Sequence, residues 1–414
     1  MPDPISKIEL SRAAQRMLAA RPELATELQA RRPFGPEEIA AALEGAASDD
    51  EATLRRRLRR LRARVFLRTM ARDLSGEADL AEVCGTMSEL AEQQIRVALE
   101  WLGVPDLIVV AMGKLGGREL NVSSDIDLVF VHPSGEPPER LDRAARRLIR
   151  LLDEITEDGF AFRVDMRLRP YGNAGPLVAS LEALEAYFVT QGRDWERYAW
   201  IKARPLTGPD HAALEEIVRP FVYRKYLDYA MLAAMRRLHA EVRREVERRD
   251  LAEDVKLGPG GIREIEFVAQ VLQLIRGGRD PALAVRPTLA ALAALGERRL
   301  LPAEAVRELS AAVRVPAAPR APLAVPRRRA APPAAGGGGG PAAPCAHDGL
   351  RRLGRARGAA RAAPRRGRAP LRRGARRESP TRATCPGPST RAPRRCARAS
   401  ATRSFRPIRA GAWT

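Results

Sequence analysis

Leucines recur at spacings of three and four through the first hundred residues, with none of the alternation that marks a half-buried strand. Leu54, Leu58, Leu61 and Val65 form one such stripe, and Ser48 followed by Glu51 has the spacing of a capping box that would open the helix. The arginines from Arg55 to Arg64 fall between the stripe positions, which predicts a solvated face, with a surface for an acidic partner as the sharper alternative. A second helix is predicted from about Asp79 to Trp101.

From Leu107 the pattern changes. Residues 107–112 (LIVVAM) form a short unbroken apolar run of the kind a buried strand shows, and GKLGGRELN follows as a glycine-bearing loop. DIDLVFVH, residues 125–132, reads as a second strand rich in β-branched and aromatic residues. A charged amphipathic helix from about Pro138 to Glu157 leads to a third strand from Phe160 to Leu168. Beyond about Leu181, the stretches LEALEAYFVTQ, YRKYLDYAMLAAMRRLHAEVRREVERR and GIREIEFVAQVLQLIRGG return to helical spacing, the last with Ile262, Ile265, Phe267, Val268 and Leu272 as its core stripe. The expected fold class is α+β, a mixed α/β core flanked by helical regions. The expected divisions are a helical region 1–104, the core 105–205, a helical bundle 206–312 and a low-complexity tail 313–414.

Charge alters this picture only at one end. The chain carries a net +21 over 414 residues, which alone would suggest a nucleic-acid or anionic-membrane partner. Residues 313–414 hold 25 Arg and no Lys against one Asp and one Glu, whereas residues 1–312 hold 47 basic and 49 acidic residues. The near-neutral part offers no broad nucleic-acid footprint, and no apolar stretch approaches the roughly 18 residues of a membrane helix. No specific nucleic acid and no membrane are expected as partners.

The tail reads as disordered: it has five consecutive glycines, Gly336 to Gly340, and almost no hydrophobic periodicity. A genuine basic arm would have this character. So would a GC-rich gene read out of frame, because Arg, Ala, Pro and Gly use codons that begin with two G or C bases. The second origin is favoured, since Val313 to Arg329, back-translated with suitable third bases and read one base later, can give the amphipathic pattern YAFLRRPEHRLQYRDD. Of the four cysteines only Cys84 precedes the tail, leaving no intramolecular disulfide there. With no secretory pattern at the N-terminus, a cytoplasmic location is expected.

Alternate residues of a strand share a face, so Asp125 and Asp127 project together while Ile126, Leu128 and Phe130 go to the opposite, core side. Two adjacent carboxylates repel unless a cation joins them, and hard oxygen ligands of this type favour Mg²⁺. In FRVDMRL, Arg163, Asp165 and Arg167 share one face. If the two strands are neighbours, Asp165 joins Asp125 and Asp127 in a three-carboxylate site for metals about 3.5–4 Å apart, as in-line phosphoryl chemistry uses. Arg163, Arg167 and Arg169 would neutralise phosphate charge. Gly116 and Gly117 would let backbone amides approach a phosphate, with Lys114 and Arg118 adding positive charge and Ser123 or Ser124 a hydroxyl. His132, His211, His239 and His347 have no metal-ligand spacing, and no P-loop, dinucleotide fingerprint or nucleophile elbow is present.

The segments MGKLGGRELNVSSDIDLVF, FRVDMRLRPYGNAGPLV, QGRDWERYAWIKAR, FVYRKYLDY and KLGPGGIREIEFVAQ, in this order, resemble the N-terminal half of the bacterial glutamate-ammonia-ligase adenylyltransferase family over residues 1–312. The resemblance implies a nucleotidyltransferase-type core of the adenylyl-removing kind. Its implied reaction is Mg²⁺-dependent phosphorolysis of AMP-tyrosine on glutamine synthetase, with inorganic phosphate consumed and ADP released, in the control of nitrogen assimilation. It implies Asp125, Asp127 and Asp165 as metal-binding carboxylates and Gly116 and Gly117 as the phosphate loop. Adenylylated glutamine synthetase, ADP or ATP and a PII-type nitrogen-signalling protein are the implied partners. Nothing after Val313 resembles the family, so the ATP-dependent transferase half is expected to be missing. Two alternatives stand beside this expectation: an inactive fragment that only binds glutamine synthetase or a signalling partner, and a generic small-substrate nucleotidyltransferase. The sequence leaves Arg263, Glu264 and Glu266 open between reaching the site and forming an ordinary helix surface, and does the same for Arg197, Lys202 and Arg204.

Overall fold

The computed structural model describes residues 11–133, 135, 137–224 and 261–314. The helix expected across YRKYLDYAMLAAMRRLHAEVRREVERR, after its first two residues, and the tail beyond Arg314 lie outside the described residues.

The N-terminal region is helical, as its spacing requires: α1 (Arg12–Ala20), α2 (Pro36–Leu43), α3 (Glu51–Ser75) and α4 (Leu80–Leu102). Asp50 caps α3, its carboxylate accepting the Thr53 amide at 3.0 Å, two residues later than the Ser48 pattern suggests. Ser48 instead ends a short 3₁₀ turn. Asp79 caps α4 in the same way, and Gly76 and Gly103, both left-handed, close the two helices.

Leu54, Leu58, Leu61 and Val65 are buried as expected, but the arginines beside them are only partly a solvated face. Arg56 and Arg60 are exposed, whereas Arg59 and Arg62 are buried. Arg59 donates to the carbonyls of Arg55, Leu151, Glu154 and Gly159. Three of those lie at or beyond the C-terminal end of α5 (Glu139–Asp153), where orphan carbonyls and the negative end of the helix dipole favour a cation. Arg62 lies between the rings of Phe66 and Phe162, 5.1 and 5.2 Å from their centres, and donates to the Val122 carbonyl at 2.7 Å. Burial, with Arg163 nearby, lowers its pKa to about 10.

The sheet has the order β3-β2-β1-β5, with β4 also on β2. Its strands are β1 (Ile108–Met112), β2 (Ile126–His132), β3 (Val164–Asp165), β4 (Val178–Ser180) and β5 (Arg204–Pro205). β1 pairs antiparallel with β2 and β5, while β3 and β4 run parallel to β2. Both faces are covered. Val109, Ala111, Ile126, Leu128 and Phe130 join one core with α2 to α5, so the N-terminal helices and the sheet are packed as one unit across residue 104. Ile108, Val110, Met112, Val129 and Val131 join a second core under α6 (Leu181–Thr190), α7 (Asp194–Trp200), α8 (His211–Val222) and part of α9 (Ile262–Arg276). Two-sided burial is why β1 and β2 read as nearly continuous apolar runs.

The remaining helices, α9, α10 (Thr288–Glu297) and α11 (Ala303–Arg314), enclose a smaller core that includes Ile265, Ala269, Leu292, Leu295 and Val313. Within α9 the buried positions are Ile265, Ala269, Gln270, Gln273 and Leu274, and Val268, expected on the core stripe, is 40% exposed. α9 divides its apolar residues between two cores, which a single-stripe reading cannot anticipate. The architecture is α+β, a mixed sheet with helices on both faces.

Candidate active site

β2 carries Asp127 one residue inside its N-terminal end, on the face it shares with Val129 and Val131. Asp165 is its direct neighbour: in the parallel β2–β3 pair, Ile126 lies beside Val164 and Asp127 beside Asp165. The sequence expected a third strand from Phe160 to Leu168, but only two residues form it. The Arg167 amide donates to Asp165 Oδ1 at 2.9 Å, and its Nε donates to both carboxylate oxygens at 3.0 and 2.9 Å. This Asx-type turn offers the backbone an alternative to the ladder and ends the strand there. Arg169 is drawn into the same turn, donating to the Met166 carbonyl at 2.7 Å.

Asp125 stands one residue before β2. Arg163 Nε donates to its carboxylate, and Arg163 Nη2 donates to the Ser123 carbonyl at 2.7 Å. Among the described residues, no three His, Cys, Asp or Glu side chains are gathered closely enough to hold a metal ion. Asp127 and Asp165 are carboxylates in register on neighbouring strands, the donor type a hard divalent cation takes, and Asp165 is engaged by Arg167 as Asp125 is by Arg163. The Ser124 hydroxyl donates to Asn121 Oδ1 at 2.8 Å.

The expected glycine loop is a single helical turn, Gly113–Gly116, leaving β1 directly. The amides of Gly117, Arg118 and Glu119 donate back to the carbonyls of Gly113, Leu115 and Lys114 at 3.1, 3.0 and 2.7 Å. Gly113, which the sequence reading passed over, is the glycine nearest the carboxylates. Its φ is +52°, and a Cβ there would lie 2.7 Å from Asp127 Oδ2. Gly116 is needed for another contact, since its Cβ would lie 1.9 Å from the Lys202 carbonyl oxygen. Arg118 is turned to α4, 2.8 Å from Glu89 and 3.4 Å from Glu92. Arg204 holds the turn from β5, donating to the Gly116 and Leu115 carbonyls and pairing with Glu92.

Sequence reasoning also missed Glu119 and left Lys202 and Glu266 open. Lys202 is 5% exposed, and its ammonium contacts Glu119, Glu266 and Thr288 Oγ1. Burial opposes the charge on both Lys202 and Glu266. The two carboxylates nonetheless hold the lysine above its ordinary pKa, and Lys202 with Lys114 holds Glu266 below the ordinary glutamate range. Arg197 is elsewhere, buried against the Phe221 ring and donating to the Phe221 carbonyl. Trp195 and Tyr198 pack partly buried against the second core.

Comparison with known proteins identifies the family. The family model described as glutamate-ammonia ligase adenylyltransferase matches residues 6–217, and that of GlnD PII-uridylyltransferase matches residues 233–328, running past Val313. The bifunctional glutamine synthetase adenylyltransferase/adenylyl-removing enzyme of Aromatoleum aromaticum is 52% identical over 330 residues, covering 73% of this chain and 35% of the relative. The enzymes of the same name from Nitrosomonas europaea and Chromobacterium violaceum are 51% and 52% identical, covering 74% and 73% of this chain and 37% of each relative. The chain thus spans little more than a third of the length of these relatives. With carboxylates in register at the mouth of a mixed sheet and a family match over just over half its length, the chain belongs to the glutamate-ammonia ligase adenylyltransferase family.

Proposed function

We propose that this chain carries the adenylyl-removing activity: Mg²⁺-dependent phosphorolysis of AMP-tyrosine on glutamine synthetase, yielding ADP. The observation that carries the proposal is the side-by-side register of Asp127 and Asp165 beside the turn that begins at Gly113. An oxygen of inorganic phosphate bonds to the phosphorus of AMP, the bond from that phosphorus to the tyrosine oxygen breaks, and the phenolate takes up a proton.

Asp127 and Asp165 would hold the cation, and Asp125 would join them only on release from Arg163. When bound, Mg²⁺ would neutralise charge on the phosphoryl oxygens. Arg163, Arg167 and Arg169 supply cationic donors at the edge of β3, where two highly charged phosphates must approach each other. Lys114 adds positive charge from the turn, and Ser124 lies at the strand entrance. Gly116 and Gly117 serve this site by close packing of the turn, their missing side chains letting it lie against Lys202. Adenylylated glutamine synthetase is the proposed protein substrate. A PII-type signalling protein is the proposed regulator, supported by the match of residues 233–328 to a PII-uridylyltransferase model. A cytoplasmic location accords with a buried free Cys84 and with the lack, among the described residues, of any helix long and apolar enough to cross a membrane.

The test is direct. The full chain, given adenylylated glutamine synthetase, Mg²⁺ and phosphate, should release ADP, and Asp125→Asn, Asp127→Asn or Asp165→Asn should abolish release. Free AMP as the product, or undiminished release in Asp127→Asn and Asp165→Asn, rejects the proposal.

A further inference from the structure

Lys202 touches the glycine turn with both its main chain and its side chain. Its carbonyl oxygen occupies the place of a Gly116 side chain, and its Cδ lies 3.3 Å from where a Gly117 Cβ would be. A lysine ammonium has three N–H donors, and here three acceptors meet it: Glu119 at the end of the turn, Glu266 on α9 at 2.8 Å, and Thr288 Oγ1 at the start of α10 at 3.2 Å. The other Glu119 oxygen accepts the Thr288 amide at 2.6 Å. Four chain segments distant in sequence are thereby tied at one buried point.

Such a cluster is a poor device for stability alone. Two carboxylates and one ammonium lose solvent here, a cost that apolar packing of similar volume avoids. What it provides is direction. The turn is gripped near Gly116 to Glu119 by Lys202, while its first residue, Gly113, abuts Asp127. We propose that Lys202 is a positioning residue that sets the Gly113–Glu119 turn against Asp127, and that Glu266 and Thr288 give the helices of 261–314 control of the site through it. This role rests on the site described under Proposed function. It also assigns Glu266, left open by the sequence, to the support of the turn.

The experiment is hydrogen exchange on the full chain, comparing wild type with Lys202→Met and Glu266→Gln, together with steady-state ADP release. In Lys202→Met the amides of residues 117–119 should exchange about tenfold faster or more, while those of β1 and β2 keep wild-type rates. Glu266→Gln, which keeps an oxygen acceptor, should give a smaller rise at the same amides. Unchanged exchange in the turn, or a rise spread equally over both strands, overturns the positioning role. In the kinetics, the KM for phosphate should rise about tenfold in Lys202→Met with the KM for the adenylylated protein unchanged. Loss of folded protein would lower kcat and leave both KM values alone, and that result also overturns the positioning role. If the wild type releases no ADP, the proposed function fails by itself and the exchange pattern still decides whether Lys202 clamps the turn.

Discussion

Gly113 and Asp127 are in contact across the end of β1, so close that a methyl group on Gly113 would stand 2.7 Å from the aspartate's Oδ2. The glycine backbone is also left-handed there, with φ at +52°. Gly113→Ala therefore both strains the turn and pushes the carboxylate away. Expected outcomes are a loss of about 1–2 kcal/mol of unfolding free energy and a fall of ADP release by about ten- to a hundredfold. Urea unfolding and initial rates on the same preparation check the two, and a larger effect on stability than on rate would place the glycine's role in folding alone.

Arg163 and Arg167 compete with any cation for the oxygens of Asp125 and Asp165. The Arg163–Asp125 pair is about two-fifths exposed on each side, so solvent screens it; the Arg167–Asp165 pair is more enclosed, at 18% and 13%. Removing the first guanidinium, in Arg163→Gln, should tighten Mn²⁺ binding by about threefold or less. Arg167→Gln should tighten it by about tenfold. Isothermal titration with Mn²⁺ measures both, and equal or weaker binding in Arg167→Gln would show that the arginine assists the carboxylate instead of blocking it.

Arg59 binds the end of α5 to α3 through three carbonyl acceptors there, with a fourth, that of Arg55, on its own helix, and is 1% exposed. Arg59→Met keeps the volume and removes the guanidinium donor from those carbonyls, of which Gly159 keeps the Thr156 amide. It should cost about 2–4 kcal/mol, read as a lower urea midpoint at an unchanged slope. Arg59→Lys, with a single ammonium in place of the planar fork, should recover only part of that.

The Glu266 carboxyl, with burial opposed by Lys202 and Lys114, is held below the ordinary glutamate range. On acidification the unfolded chain takes up this proton first. The group's stabilisation is thus full above the ordinary glutamate pKa and is lost as pH falls toward the folded-state value. Lys202 has the reverse sense: its raised pKa gives stability that is full below the ordinary lysine pKa and lost at higher pH. In Glu266→Gln the curve of Tm against pH should be flatter than wild type from about pH 5 downward. An unaltered acid limb would remove Glu266 from the groups that couple protons to folding.

The acidic strand and its neighbour were legible because helices cover both sheet faces, which turns β1 and β2 into unmistakable apolar runs. The pairing of Asp127 with Asp165 followed from period-two logic once the strands were assumed adjacent. The length of β3 was not legible, because Arg167 ends it through a side-chain bond to Asp165. β4 and β5 escaped notice as edge fragments of three and two residues, one of them containing Pro205. The burial of Arg59 and Arg62 depends on carbonyls 60 to 100 residues away in sequence, beyond any local pattern. Likewise the Gly116–Gly117 pair drew attention that Gly113 equally merits, since the sign of φ and the approach of Asp127 are properties of the folded turn.

The core that unites α2 to α5 with one face of the sheet has a practical meaning for anyone wishing to transplant this catalytic unit. A graft beginning at residue 105 would keep α5 but strip α2 to α4 from the core of Val109, Ala111, Leu128 and Phe130, leaving that wall partly bare and sticky in water. The first hundred residues are the back plate on which the acidic strand is mounted, and they must travel with it.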